Sequence, residues 1–162
     1  MSVTRPKKRS TKRPTKSDRP HSKDWPIEQL PGLSREDTQK LIACGIPTTM
    51  ELLRQIDRPA RQEALAVRLR VRVTQVKKWV ALADLARLPN VGLQYCGLLL
   101  HCGVGSVDRL AELSVGQLHP QIRRFQVATL QRKDLCRELC PGPEEVTLWI
   151  QQARQFARTR RS

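Results

Sequence analysis

Leu30-Pro31-Gly32-Leu33-Ser34 returns 58 residues later as Leu88-Pro89-Asn90-Val91-Gly92. In the same register Leu41 meets Leu99, Cys44 meets Cys102, Gly45 meets Gly103, Ile46 meets Val104, Thr48 meets Ser106 and Leu52 meets Leu110. With a 12-residue insertion in the second stretch, Val76-Lys77-Lys78-Trp79-Val80 then faces Val146-Thr147-Leu148-Trp149-Ile150, and Ala83 faces Ala153. Agreement in both kind and order predicts an internal duplication, one supersecondary unit used twice.

Each unit reads as helices. Ser34-Arg35-Glu36-Asp37 has the form of a helix start: a hydroxyl N-cap, then acidic side chains at the positive end of the helix dipole. Leu41 and Ile42 continue the apolar side, and Gly45 supplies the left-handed residue that ends the helix. Thr48-Thr49-Met50-Glu51 forms a capping box opening a short helix with Leu52, Leu53 and Ile56. Pro59 opens a third helix through Leu65 and Leu69. A fourth follows Thr74, with Val76, Trp79, Val80 and Ala83 at spacings of three and four. In the second unit Gly92 to Cys102 forms a helix ended by Gly103, and Ser106 caps a short one. Ser114 caps another that stops at Pro120, a longer helix covers Gln121 to Leu139, and Cys140-Pro141-Gly142-Pro143 breaks it. A last helix from Pro143 to Arg158 buries Val146, Trp149, Ile150 and Ala153.

Val67-Arg68-Leu69-Arg70-Val71-Arg72-Val73 alternates as an edge strand does. With no strand-like counterpart in the other unit and no partner strand, it is a helix end plus a short linker. The fold class is therefore all-α: duplicated helix-hairpin-helix-like (SAM-like) units at 25–87 and 88–162, packed as one body behind a disordered basic tail at 1–24.

The chain has 162 residues, 30 Lys and Arg against 15 Asp and Glu, and a formal charge of +15. Nine of the basic residues, Lys7, Lys8, Arg9, Lys12 and Arg13 among them, lie in residues 1–24 against Asp18 and Asp24, a charge of +7. Pro6, Pro14 and Pro20 interrupt any helix there, and Met1 and Val3 are its only large aliphatic residues. Such a segment buries too little apolar surface to offset the entropy of ordering, and basic arms of this kind bind nucleic acid. The remainder still carries +8, with clusters at Arg68, Arg70, Arg72, Lys77 and Lys78, at Arg123, Arg124, Arg132 and Lys133, and at Arg154, Arg158, Arg160 and Arg161. An excess of this size attracts polyanions. No apolar run approaches the ~20 residues that span a bilayer, which excludes a transmembrane helix. The N-terminus has no apolar segment behind its basic residues and is not a secretory signal, although its composition also suits an organellar transit peptide. Five cysteines inside helical patterns then read as reduced thiols of a cytoplasmic protein.

Leu-Pro-Gly-Leu-Ser leading to Cys-Gly-Ile, and Leu-Pro-Asn-Val-Gly leading to Cys-Gly-Val, resemble helix-hairpin-helix motifs. The wider pattern is Trp79-Val80, Ala83-Asp84-Leu85, Arg87-Leu88-Pro89, Val91-Gly92, Tyr95, Leu98-Leu99 and Gly103-Val104, ending in Glu145-Val146, Trp149-Ile150 and Ala153. It resembles a bacterial domain-of-unknown-function family of tandem helix-hairpin-helix-like units, common in cyanobacteria, over residues 27 to 157. The resemblance implies a Gly-hydrophobic-Gly turn whose backbone approaches a phosphate, with amides at the next helix start donating to its oxygens. It points to Gly32, Ser34, Asn90 and Gly92. Each hairpin keeps one of the two glycines; Asn90 tolerates left-handed geometry, and Ser34 caps its helix.

Catalytic chemistry is not legible. Zinc sites want about four ligands, whereas Cys96, His101 and Cys102, or Cys136 and Cys140, form partial sets without Cys-x-x-Cys. Cys44 and Cys102 read as small packing residues. His21 lies in the tail, and His101 and His119 stand among basic or apolar neighbours, not beside a nucleophile. Carboxylates such as Asp57, Asp84, Asp108 and Glu144-Glu145 are scattered, and there is no Walker or dinucleotide loop. Trp79 and Trp149 read as core, while Trp25 either docks the tail or meets a partner. The expectation is a protein without enzymatic activity, metal or cofactor that binds DNA or RNA backbone irrespective of sequence. The rival is a docking module for an acidic protein or a ribonucleoprotein or photosynthetic assembly. Association with an anionic membrane is weaker, for lack of a free basic amphipathic helix.

Overall fold

A computed structural model describes residues 21–130 and 140–161 of the chain. They form α1 (Arg35–Ala43), α2 (Thr49–Gln55), α3 (Pro59–Leu69), α4 (Val73–Ala86), α5 (Gly92–His101), α6 (Val107–Glu112), α7 (Val115–Leu130) and α8 (Pro143–Arg160), behind a 3-10 turn at Ile27–Gln29. Among the described residues, extended pairing is confined to an isolated bridge between Pro26 and Thr48. The body is all-helical, and no described helix is long and apolar enough to cross a membrane.

Local chemistry sets most boundaries. Ser34 Oγ accepts the Asp37 N–H at 3.0 Å, Thr48 Oγ1 accepts that of Glu51 at 3.3 Å, and Ser106 Oγ accepts that of Arg109 at 3.0 Å. Each hydroxyl satisfies one amide that a helix start leaves open. Glu51 does not close the box; its carboxylate turns to Arg54 and Gln55. The ends of α1 and α5 are built alike. Gly45 and Ile46 donate to Ile42 and Leu41, and Gly103 and Val104 donate to Leu100 and Leu99. This double closure satisfies terminal carbonyls and turns Ile46 and Val104 back into the core.

The alternating stretch is a corner. Helix α3 stops at Leu69, Arg70 takes left-handed geometry (φ 56°, ψ 43°), and the Val71 N–H closes on Ala66 O at 3.0 Å. Leu69 is buried and Val71 and Val73 pack against the core, while Arg68, Arg70 and Arg72 are exposed.

Two boundaries differ from the sequence reading. Helix α7 runs through Pro120 without stopping. A proline there has no N–H for the carbonyl four residues back, which belongs to Gly116, exposed and lacking a side chain to crowd the ring. The predicted continuation over 131–139 lies outside the described residues. Lys23 and Asp24, assigned to the tail, join the body: the Lys23 N–H donates to Arg87 O at 2.8 Å, and Asp24 Oδ1 accepts the Met50 N–H at 3.0 Å. Asp24 thereby serves the α2 start beside Thr48, a contact that sequence spacing does not reveal.

One hydrophobic cluster runs through the body. Helix α4 packs on α2, α3 and α5, and α8 packs on α6 and α7, with Trp79 and Trp149 both 0% exposed. Residues 82–88 are buried without interruption, including two charges. Asp84 Oδ2 accepts the Val107 N–H at the start of α6 at 2.8 Å, and Oδ1 lies 2.9 Å from Arg87 Nε and 3.6 Å from Arg160 Nη2. Arg160 also reaches Asp108, and the Arg87 guanidinium lies over the Phe156 ring. Burial lowers the Arg87 pKa, and the Asp84 carboxylate beside it pulls in the opposite direction. At the other end of α6, Arg154 donates to Ala111 O at 3.1 Å and Leu113 O at 3.2 Å. A six-residue helix is marginal alone. Here it has an anion at its positive end and a cation at its negative end.

Candidate nucleic-acid interface

Of the residues singled out in the sequence, Lys7, Lys8, Arg9, Lys12 and Arg13 lie outside the described residues. Gly32, Ser34, Asn90 and Gly92 do not come together at one site. They lie in two separate hairpins with different hydrogen bonding.

In the first, Gly32 (φ 80°) and Ser34 are exposed. Pro31 and Gly32 form the centre of a turn of the kind that the Leu33 N–H closes on the Leu30 carbonyl, while the amides of Gly32 and Ser34 have no hydrogen-bond partner among the described residues. Helix α4 passes beneath. A Cβ at Gly32 would lie 3.8 Å from Lys78 Cε and Nζ and 3.9 Å from Leu82 Cδ1. The Lys78 ammonium is exposed and has no ion-pair or hydrogen-bond partner among the described residues. The first hairpin therefore offers backbone donors and one cation with no internal acceptor, and an oxyanion is the group that satisfies both.

The second hairpin is closed. The Asn90 N–H donates to Gln152 Oε1 at 3.2 Å, and its carbonyl accepts Trp149 Nε1 at 3.0 Å. The Val91 and Gly92 amides both turn back to Leu88 O. Gly92 is buried, with Trp25 Cζ2 3.7 Å from where its Cβ would stand. Trp25 is held in turn by its indole N–H on Ala86 O at 2.9 Å and docks residues 23–25 on the body. Asn90 does not take left-handed geometry, contrary to expectation; Gly92 does, with φ 55°. Pinning both backbone groups of Asn90 to α8 moves the tight turn two residues on.

Lys78 and Leu82 were not singled out as site residues. The tryptophan register carried the signal, since it sets Lys78 against Leu148 and, carried on, Leu82 against Gln152. Three of the differences between the hairpins (Gly32 for Asn90, Leu82 for Gln152, Lys78 for Leu148) leave the first one less engaged and more positive. The register also sets Trp79 against Trp149. Trp79 Nε1 is buried without an acceptor among the described residues, whereas Trp149 uses the carbonyl of Asn90.

Several other candidates are occupied. In the C-terminal cluster Arg154 and Arg160 serve α6 and Asp84, and Arg158 has a partner. Arg123 and Arg124 are exposed on α7, while Arg132 and Lys133 lie outside the described residues. His101 stacks on Phe125 with centroids 5.3 Å apart. Burial pushes the Cys96 and Cys102 thiols up to about 11, so both stay protonated at neutral pH and are poor nucleophiles or metal ligands. A cleft of about 520 Å³ between α4 and the start of α6 is lined by Lys77 and Arg160 but also by Asp57, Asp84 and Asp108. That balance of charge does not suit a polyanion.

No curated protein and no solved structure matches the chain. A family model described as "Domain of unknown function (DUF4332)" matches residues 31–156, from the first hairpin to the buried end of α8. With most of its length inside that match, the chain belongs to the DUF4332 family.

Proposed function

We propose that this protein is a non-catalytic, cytoplasmic, sequence-independent nucleic-acid binder made of two helix-hairpin-helix-like units. The first unit presents the phosphate site and the second has become a packing joint. The observation that carries this reading is the first hairpin: exposed Gly32 and Ser34, amides without acceptors, and the Lys78 ammonium alongside. Phosphate oxygens accept from the backbone and pair with Lys78. Lys7, Lys8, Arg9, Lys12 and Arg13 add long-range attraction. Backbone amides and a lysine do not distinguish bases, so DNA and RNA both fit.

The test titrates the full chain, Lys78→Gln, and a chain with those five tail residues changed to Gln against duplex DNA, single-stranded DNA and structured RNA, from about 50 to 200 mM salt. Loss of one phosphate contact lowers the salt slope by about 0.9 on duplex DNA. Lys78→Gln is expected to lose about that much and to weaken all three polymers alike. Binding that ignores Lys78 and disappears with the tail charges instead leaves the body as a docking module for an acidic protein. The second turn supports that rival, because α8 already occupies the Asn90 amide and carbonyl.

A further inference from the structure

Arg68, Arg70 and Arg72 project from the α3–α4 corner while Leu69, Val71 and Val73 face the core. All three arginines are exposed and have no ion-pair or hydrogen-bonding side-chain partner among the described residues. Two of them occupy positions where local structure selects other residues. Arg70 is the only non-glycine with positive φ among the described residues, at a left-handed helix end that glycine fills without steric cost. Arg72 is the N-cap of α4, where Ser, Thr, Asp or Asn would accept an amide. Its side chain caps nothing, and its charge stands at the positive end of the dipole. Two adjacent positions thus hold arginine against the preference of the backbone, with no internal partner to offset the cost.

We propose that the Arg70–Arg72 corner is a second backbone-contact surface, gripping the same nucleic-acid strand that the first hairpin holds. This rests on the nucleic-acid reading and names further residues for it. From Arg72 to Lys78 is about 9 Å along α4 at 1.5 Å per residue. One strand of a duplex carries a phosphate roughly every 3.4 Å of axis. That axial step equals about three phosphate spacings, and the same six residues turn Arg72 and Lys78 about 120° apart around α4, a gap that the long arginine and lysine side chains have to bridge. Val71 and Val73 anchor the turn from inside, so the guanidiniums are presented by backbone fixed in the core.

The experiment compares the full chain with Arg70→Gly, with Arg70→Gly/Arg72→Ser, with Arg70→Lys/Arg72→Lys and with Lys78→Gln. Readouts are the thermal midpoint and the affinity for a 20-base-pair duplex and for polyglutamate across salt. Arg70→Gly is expected to raise the midpoint by relieving the left-handed residue, while weakening duplex binding. The double Gly/Ser variant is expected to lower the duplex salt slope by about 0.9 per arginine, and the Lys/Lys variant to keep most of it. Unchanged duplex binding in the Gly/Ser variant, with Lys78→Gln still weakened, overturns the corner and leaves the hairpin reading standing. Duplex binding insensitive to every variant overturns both. A lowered midpoint in Arg70→Gly removes the conformational ground of the inference. Loss of polyglutamate binding with duplex binding intact assigns the corner to an acidic protein instead.

Discussion

At the first hairpin an aliphatic side chain, Leu82, and a lysine lie against Gly32. At the second, Gln152 and Trp149 take the amide and the carbonyl of Asn90. The turns start from nearly the same residues, Leu-Pro-Gly-Leu and Leu-Pro-Asn-Val. What separates them is one helix face opposite each turn. At the second turn polar side chains in that face engage the backbone of Asn90, whereas at the first Leu82 offers Gly32 no hydrogen-bonding group. Openness carries a structural cost in the core, because the indole of Trp79 has no acceptor where that of Trp149 has one. Among the described residues the other buried side-chain nitrogens without a hydrogen bond belong to Arg87, whose charge faces Asp84.

The comparison extends to the next pair in register, Asp84 and Arg154, which hold opposite ends of α6. Asp84→Ala leaves Arg87, 8% exposed, without its counter-charge, and leaves the Val107 N–H at the start of α6 without its acceptor. A loss of about 3–5 kcal/mol is expected in urea unfolding. Arg154→Ala, whose side chain is more exposed and leaves two carbonyls near solvent, is expected to cost about 1 kcal/mol. Equal losses would mean that both ends of α6 matter alike and that the junction has no centre at Asp84.

Paired Trp→Phe changes sharpen the contrast between the hairpins. Both tryptophans are fully buried, so the lost volume is similar. Trp149→Phe also strands the Asn90 carbonyl, whereas Trp79→Phe removes a donor that has no acceptor. Trp149→Phe should therefore cost about 1–3 kcal/mol more. Should the two cost the same, a bound water satisfies Trp79 and the asymmetry between the turns is small.

The smallest effect concerns pH. Cys96 and Cys102 lie on the second unit's first helix or at its end, and burial raises both thiols to about 11 from an ordinary value near 9. The fold favours the neutral thiol. Its contribution is full below about pH 9 and is lost as pH rises from about 9 towards 11. The thermal midpoint should be flat with respect to these groups near neutrality and fall across that window. Cys96→Ala should flatten the fall, measured relative to its own neutral midpoint. A fall of the same depth in that variant would place the titrating group elsewhere.

Features set by neighbours in sequence were readable in advance: Ser34, Thr48 and Ser106 as caps, Gly45 and Gly103 as helix ends, Pro59 as an opening residue. The corner at Arg70 was readable too, since no partner strand existed for the alternation. Pro120 was misread because a proline rule ignores what stands four residues earlier. The state of the hairpins was not legible from the hairpins. The bonds that close the second one span 59 and 62 residues, and the dock of Trp25 on Ala86 spans 61. Motif reading named Gly32 and Gly92 as equals. Only the opposing helix, and the tryptophan register that aligned it, distinguishes them.

Asp84 belongs to the first unit and the amide it caps belongs to the second. Neither unit is thermodynamically self-contained: loss of α6 exposes a buried carboxylate and arginine in α4 and the turn after it, and loss of α4 uncaps α6. Loss of either helix therefore raises the free energy of the other. The body is expected to melt as a single cooperative unit, with one denaturant midpoint and an m-value set by the whole buried core.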